Sequence, residues 1–403
     1  MTGEKTEKHI AVVGGTFDPI HFAHLQLGRA ALEAIHPDEV WFMPSGSNNY
    51  RSIMGLRAEK YHREAMVRLA LAGEDPHFRL SDWECREPGS TYTSRTFAEL
   101  NAIYPEVTWY YVVGADTLSS LKYWEEPELI CNSTVLLAAG RDEQVSAADT
   151  RMAAETLRSK YGADIRFIPW NDRPISSTKV RQGFAEGTIR EEDLPHGVYD
   201  YAARHHLYRP LDTLSGEEML ERAGATAEEF EYYQKLKAEL KPRRLRHSLG
   251  VMHMAMLLAD AYRTVPLEKA RLAGLLHDCG RLASLPNNAL GHAPAGAQKA
   301  RREYGVTDEE VLSAIRWHTT GRPGMTDLEK IIYVADYIEP FRGPMVHLDK
   351  ARRIAYTDLD RAVIFAAQNT VKYLESRGEE IDPITLDCEA YYRSLLSQKG
   401  GYR

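Results

Sequence analysis

Cysteine is scarce in this chain. Four occur in 403 residues, Cys85, Cys131, Cys279 and Cys388, scattered without C-x-x-C spacing. That excludes a disulfide framework and a zinc knuckle, and it fits a reducing compartment. Long apolar runs are also missing: no segment approaches membrane-spanning length, and the opening Met1-Thr2-Gly3-Glu4-Lys5-Thr6-Glu7-Lys8-His9 lacks an apolar signal region. The expectation is a soluble, cytoplasmic protein with no membrane partner. Positive charge is outweighed, with 50 Lys and Arg against 58 Asp and Glu for a net charge of -8. A broad basic grip on nucleic acid is therefore not expected, whereas small anions in local basic pockets are compatible. Internal repeats and low-complexity tracts are absent.

The length exceeds what one hydrophobic core usually serves, which favours two domains. The first half alternates short apolar strands with helical stretches. Strands are expected at His9 to Val13, Glu39 to Met43, Phe78 to Ser81, Thr108 to Val113, Thr134 to Ala138 and Ile165 to Ile168. Helical periodicity marks Ala23 to Ile35 and Arg57 to Leu71, so a parallel α/β sheet covered on both faces follows. From about Thr226 helical runs follow one another with almost no strand signal, punctuated at Pro266, Leu285 to Asn288, Arg322-Pro323-Gly324 and Glu339-Pro340, which reads as an all-α domain. Proline and glycine in Tyr208 to Gly216 interrupt both patterns; the expected domains are 1–210 and 226–403.

The first expected strand runs into Gly14-Gly15-Thr16-Phe17-Asp18-Pro19-Ile20-His21-Phe22-Ala23-His24. Glycines at a strand end let backbone N–H groups approach a phosphate, and the following helix N-terminus favours an anion. His21 and His24, three apart at the helix entry, can address the same anion. The spacing is not G-x-G-x-x-G, so a dinucleotide cofactor has little support. A tight turn with a capped helix would also account for the glycines. A second segment, Ile175-Ser176-Ser177-Thr178-Lys179-Val180-Arg181, places hydroxyls at a helix start and a cation one turn later, again suited to phosphate oxygens.

These two segments together resemble the HxGH nucleotidyltransferases, and Ser90-Thr91-Tyr92-Thr93, Gly114-Ala115-Asp116 and Trp124 narrow the likeness to the nicotinate-mononucleotide adenylyltransferase family. The resemblance covers roughly the first half and implies a Rossmann-like nucleotidyltransferase fold. It implies that Gly14, Gly15, Thr16, Phe17, His21, His24, Ser176, Ser177 and Thr178 hold ATP, with Mg2+ arriving alongside it. The mononucleotide phosphate would attack the α-phosphate in line and release pyrophosphate, with His21, His24 and Arg181 stabilising the charge that develops. Asp116, Thr93 and Trp124 would meet nicotinate mononucleotide. Two positions depart from the family: Ala23 stands where it has glycine, and Pro44-Ser45-Gly46-Ser47-Asn48-Asn49-Tyr50-Arg51 stands where it usually carries Pro-His-Lys.

The second half contains the doublet His277-Asp278 at the end of the apolar run Leu272 to Leu276. Burying an imidazole beside a carboxylate is costly unless both find partners, and a metal satisfies both. Adjacent helical residues point about 100° apart, so the doublet needs outside ligands. His247 shares the apolar face of Val251, Met254 and Leu258, and Asp336 sits inside the apolar run Ile331 to Ile338. His247, His277, Asp278 and Asp336 make a mixed nitrogen and oxygen set suited to iron or another first-row di- or trivalent metal. A buried histidine taken alone is more often hydrogen-bonded structure than ligand, and His253, His205-His206 and His9 are read that way.

This order resembles the HD-domain phosphohydrolases, and His292-Ala293-Pro294, His318-Thr319-Thr320-Gly321 and Ala335-Asp336-Tyr337-Ile338-Glu339-Pro340 further resemble the symmetrical diadenosine tetraphosphatase family. The likeness runs from Thr226 toward the C-terminus. It implies metal-dependent attack that splits diadenosine tetraphosphate into two ADP. Arg244, His292, His318 and Arg342 would bind phosphates and stabilise the leaving group. Arg281 stands where the family often has lysine. The combined expectation is a bifunctional nucleotide enzyme whose partners are ATP, nicotinate mononucleotide and dinucleoside polyphosphates, compatible with a homodimer. Alternatives are a first domain that senses nucleotides without turnover or uses another acceptor, and an HD domain acting on another phosphoester.

Overall fold

The computed structural model describes residues 7–46, 53–87, 91–140, 148–170, 175–281, 291–343 and 347–398. The chain divides into two compact units, Met1–Ser47 with Lys60–Ala203, and Asn48–Glu59 with Arg204–Arg403. In the first unit every expected strand forms: β1 (Lys8–Gly15), β2 (Glu39–Pro44), β3 (Phe78–Leu80), β4 (Val107–Gly114), β5 (Val135–Gly140) and β6 (Ile165–Pro169). All neighbours pair in parallel, in the order β3-β2-β1-β4-β5-β6. β1 and β4 read as near-continuous apolar runs because helices cover both faces of such a sheet; Ile10 to Val13 are all almost fully buried.

The chain leaves β1 in one direction toward β2 and returns on its other side as β4, so the topological switch point lies between them, at their carboxyl ends. The Phe22–Ile35 helix starts there and packs close against β2. A Cβ on Gly28 would stand 2.5 Å from Phe42 Cζ, which is why a glycine interrupts that helix. The helix expected from Arg57 starts at Lys60 and ends at Leu71 as expected.

The second unit contains no strand among its described residues and is all-α. Its axis is the Pro242–Tyr262 helix, opened by Pro242 in its first turn and buried continuously from Ser248 to Ala261. The Leu267–Leu276 helix crosses it at Gly274, where a Cβ would meet Met252 Cα at 2.7 Å. The Asp327–Ile338 helix, started by a reciprocal Thr326–Glu329 capping box, supplies the third wall. Arg222, 2% exposed, is held by Glu59 at 3.1 Å within the same unit; burial pushes the Glu59 carboxyl up despite that cation. No described helix is long and apolar enough to cross a membrane.

Two candidate active sites

A cavity of about 590 Å³ opens at the switch point of the first unit. Gly14, Gly15, Thr16, His21, His24, Thr93, Trp124 and Ser176 all line it, so most residues singled out from sequence in this half come together. Gly14 lies under Tyr111: a Cβ there would touch the ring at 3.0 Å and the hydroxyl at 3.2 Å. His21 caps the Phe22–Ile35 helix in extended conformation, and its N–H donates to His24 Nδ1 at 3.2 Å. The rings stack with centroids 3.8 Å apart. Because His24 Nδ1 accepts, its neutral ring carries the proton on Nε2, a donor for an oxyanion. His21 Nδ1 is buried without a hydrogen-bond partner among the described residues.

Burial pulls the His21 imidazole down to about 4, and desolvation followed by the proximity of His21 holds His24 well below its usual range. Both rings are neutral near pH 7, and an entering phosphate would reverse the balance by favouring the charged forms.

Four of the expected residues do not line the cavity but hold the turn that shapes it. Phe17, in left-handed conformation, sets its ring edge-on to His24 at 4.9 Å. Ser177 Oγ donates to Pro19 O at 3.0 Å, and Arg181 donates to Asp18 O at 2.6 Å and to Thr178 Oγ1 at 3.0 Å. Arg181 is thereby tied to the glycine turn. Ser176 is the cap of the Ser177–Glu186 helix, its hydroxyl accepting from Lys179 N. Asp116 takes the second position of the Ala115–Leu121 helix, directly after β4. The Asn48-Asn49-Tyr50-Arg51 segment and Ser90 lie outside the described residues.

Two groups here escaped the sequence reading. Buried Arg63 donates to Thr16 O and Ser45 O, both at 2.8 Å, bracing the ends of β1 and β2. It shares the buried face of Met66, Val67 and Ala70, and a cation on an apolar stripe was the available signal. Glu84 lines the cavity and accepts from Thr91 Oγ1 at 2.8 Å and Thr96 Oγ1 at 2.9 Å.

In the second unit five helices and their ends bring six of the expected side chains into one cluster. His247 Nε2 lies 2.9 Å from Asp336 Oδ1 and 3.3 Å from His277 Nε2. Asp278 Oδ2 is 3.5 Å from His277 Nε2 and 3.9 Å from His247 Nε2, and Oδ1 is 3.3 Å from His292 Nε2 and 3.5 Å from His318 Nε2. Arg244 and Arg281 reach the same carboxylate at 2.8 and 2.9 Å, and Arg342 reaches Asp336 Oδ1 at 3.2 Å. Asp278 is 1% exposed. Desolvation opposes its charge, but the surrounding histidines, His277 first, hold it well below the carboxylate range.

The donor chemistry fits a metal. His277 Nδ1 donates to Gly274 O at 2.8 Å and His318 Nδ1 to Ile315 O at 2.7 Å, which leaves each Nε2 with a bare lone pair. His247 Nδ1 faces Glu339 Oε1 at 3.2 Å, so its Nε2 and that of His277 approach as two acceptors, an arrangement a cation resolves. Without one, burial lowers the His247 imidazole, but Asp336 and Glu339 outweigh it and push it up to about 9. Two overlapping groups have donors within 4.8 Å of one another: His247, His277 and Asp336, and His277, Asp278 and His318. His318, expected only at phosphate, thus also belongs to a candidate ligand set. Glu339, quoted in the sequence but given no role, orients His247.

A cavity of about 550 Å³ adjoins this cluster, lined by Arg244, Arg281, His318, Asp336 and Arg342 together with Tyr337, Asn369 and Tyr373. Metal ligands, phosphate-seeking cations and a half-aromatic wall therefore converge on one space.

The cytidylyltransferase-like family model matches residues 12–183 and the HD domain model matches residues 244–340. Over 201 residues the chain is 35% identical to a protein of Lachnoclostridium phytofermentans described as a probable nicotinate-nucleotide adenylyltransferase, covering 50% of this chain and 99% of that one. Over 168 residues it is 40% identical to the symmetrical bis(5'-nucleosyl)-tetraphosphatase of Bacillus subtilis, covering 37% of this chain and 89% of that one. The chain is a fusion of these two families. Its adenylyltransferase-family half carries the glycine turn and histidine pair, and its HD half carries the histidine and aspartate cluster that implies a divalent metal. A solved protein of Clostridium acetobutylicum, described as a predicted HD superfamily hydrolase involved in NAD metabolism, is 36% identical, with a TM-score of 0.37, covering 40% of this chain and 95% of that chain.

Proposed function

We propose that the protein is a cytoplasmic bifunctional enzyme: a nicotinate-nucleotide adenylyltransferase over residues 1–210 and a symmetrical dinucleoside tetraphosphatase over residues 226–403. In the first domain ATP enters with Mg2+ and its phosphates meet the Gly14-Gly15 turn, the Ser176 cap and the two stacked histidines. His24 Nε2–H donates to a phosphate oxygen, and His21 Nδ1 gains the partner it lacks. Nicotinate mononucleotide lies toward Thr93, Asp116 and Trp124, its phosphate aligned against the α-phosphate, and pyrophosphate leaves. Catalysis here is positioning and charge stabilisation, with no covalent intermediate.

In the second domain His247, His277, Asp278 and Asp336 hold iron or another first-row metal. Such a metal, when bound, lowers the pKa of bound water and polarises a phosphoryl oxygen. Arg244, Arg281 and Arg342 neutralise the phosphate chain, and His292 and His318, oriented against ionised Asp278, meet the leaving ADP. The observation that carries this reading is the convergence of two imidazole lone pairs and a carboxylate beside three arginines, in a segment of 168 residues that is 40% identical to a tetraphosphatase.

A product assay on the purified protein tests both halves independently. Diadenosine tetraphosphate should yield only ADP, and ATP with nicotinate mononucleotide should yield deamido-NAD and pyrophosphate. ATP plus AMP from the first substrate would overturn the symmetrical cut; binding of ATP and nicotinate mononucleotide without pyrophosphate release would overturn the transferase.

A further inference from the structure

A second cavity, of about 710 Å³, adjoins the same cluster through His247. It shares Arg244 and Arg342 with the first but is otherwise different in kind. Its wall adds Lys241, Arg243 and Arg246, and its acidic groups are Asp212 and Glu339. Glu339 is engaged with His247 Nδ1 and Phe341 N. The Arg246 guanidinium lies over the Phe341 ring at 4.1 Å and donates to Asp212 O at 3.1 Å, which fixes its plane.

We propose that this basic cavity is the subsite for the second nucleoside phosphate of a dinucleoside polyphosphate, so that a symmetrical substrate is held by two unlike halves of the site. The proposal rests on the tetraphosphatase reading above. A central cut leaves two phosphates on each side of the metal cluster, so cations are required on both sides; Arg244 and Arg342 stand at the divide, with Lys241, Arg243 and Arg246 beyond it. A guanidinium stacked on an aromatic ring presents a flat, weakly hydrated face on which a base can lie. The two cavities differ in what they can read. The first is lined by Asn369, Thr370 and three tyrosines, residue types that can meet base and ribose edges. No hydroxyl or amide side chain lines the second among the described residues. Charge and stacking therefore hold the second nucleoside without reading its base.

The test uses the full-length, metal-loaded protein with diadenosine tetraphosphate, adenosine 5'-tetraphosphate, which lacks the second nucleoside, and the mixed adenosine–uridine tetraphosphate. The wild type should prefer the diadenosine compound over adenosine tetraphosphate and cleave the mixed compound within about threefold of it. Arg246→Ala and Phe341→Ala should each reduce that preference about tenfold, the loss expected for about 1.4 kcal/mol of stacking, and the reduction should fall on kcat/KM for the diadenosine compound. An unchanged preference in both variants, or strong rejection of the mixed compound, would overturn the subsite. Wild-type protein that cleaves none of the three would overturn the tetraphosphatase reading itself.

Discussion

Replacing Gly274 by alanine should part the two helices that carry His247 and His277. A Cβ at that position meets Met252 Cα at 2.7 Å, Met252 N at 3.0 Å and Val251 O at 3.2 Å, all backbone atoms that cannot rotate away. Ordinary contact begins at 3.4 Å, so the Leu267–Leu276 helix must retreat by about 0.7 Å. Two effects oppose each other. Alanine gains roughly 1 kcal/mol over glycine in a helix interior, while overpacking a core costs roughly 1–3 kcal/mol. The balance is a loss of about 1 kcal/mol, or roughly 2–4 °C in Tm for a unit of this size. Function should suffer more than stability. His277 follows directly on that helix, its Nδ1 donates to Gly274 O itself, and its Nε2 must stay 3.3 Å from that of His247. Metal–ligand distances tolerate only about 0.2 Å. Metal content after equilibrium dialysis and ADP release should both fall at least about tenfold, with unchanged circular dichroism. A variant that melts higher than the wild type and keeps its metal and turnover would refute the close-crossing argument.

Asp278→Ala removes the carboxylate on which Arg244, Arg281, His292 and His318 converge; ADP formation should be abolished while deamido-NAD synthesis by the other domain continues, and residual hydrolysis would defeat the metal assignment. Arg222→Met removes the guanidinium paired with buried Glu59, and chemical denaturation should show a loss of about 3–5 kcal/mol that Arg222→Met/Glu59→Gln largely recovers; equal stability of single variant and wild type would contradict it. His21 titrates near 4 when folded and 6.5 when unfolded, so the unfolded chain binds the extra proton. Stability is therefore fully present above about pH 6.5 and falls by up to roughly 3 kcal/mol toward pH 4. His21→Asn should flatten the unfolding midpoint over that window relative to wild type, and parallel pH curves would count against a neutral buried His21.

Both folds were legible because each is written in local pattern. Ile10 to Val13 is a run that only a doubly covered strand uses, and Asp336 interrupts an apolar helix where a carboxylate demands a partner. What sequence could not supply was pairing across distance to the backbone. Arg181, expected at phosphate, also donates to Asp18 O, 163 positions away, a contact that no local pattern announces. Tyr111 over Gly14 and Glu84 between two threonines are likewise created by sheet register and loop return. The Arg246–Phe341 stack joins residues nearly a hundred positions apart, and no periodicity in either segment announces it.

His277 and His318 each occupy the residue that closes a helix, and each anchors its ring to a carbonyl three residues back on its own helix. Such carbonyls are left over at every helix end. An oriented ligand therefore needs only a histidine at the stop of an ordinary helix, and its aim is set before any cation arrives.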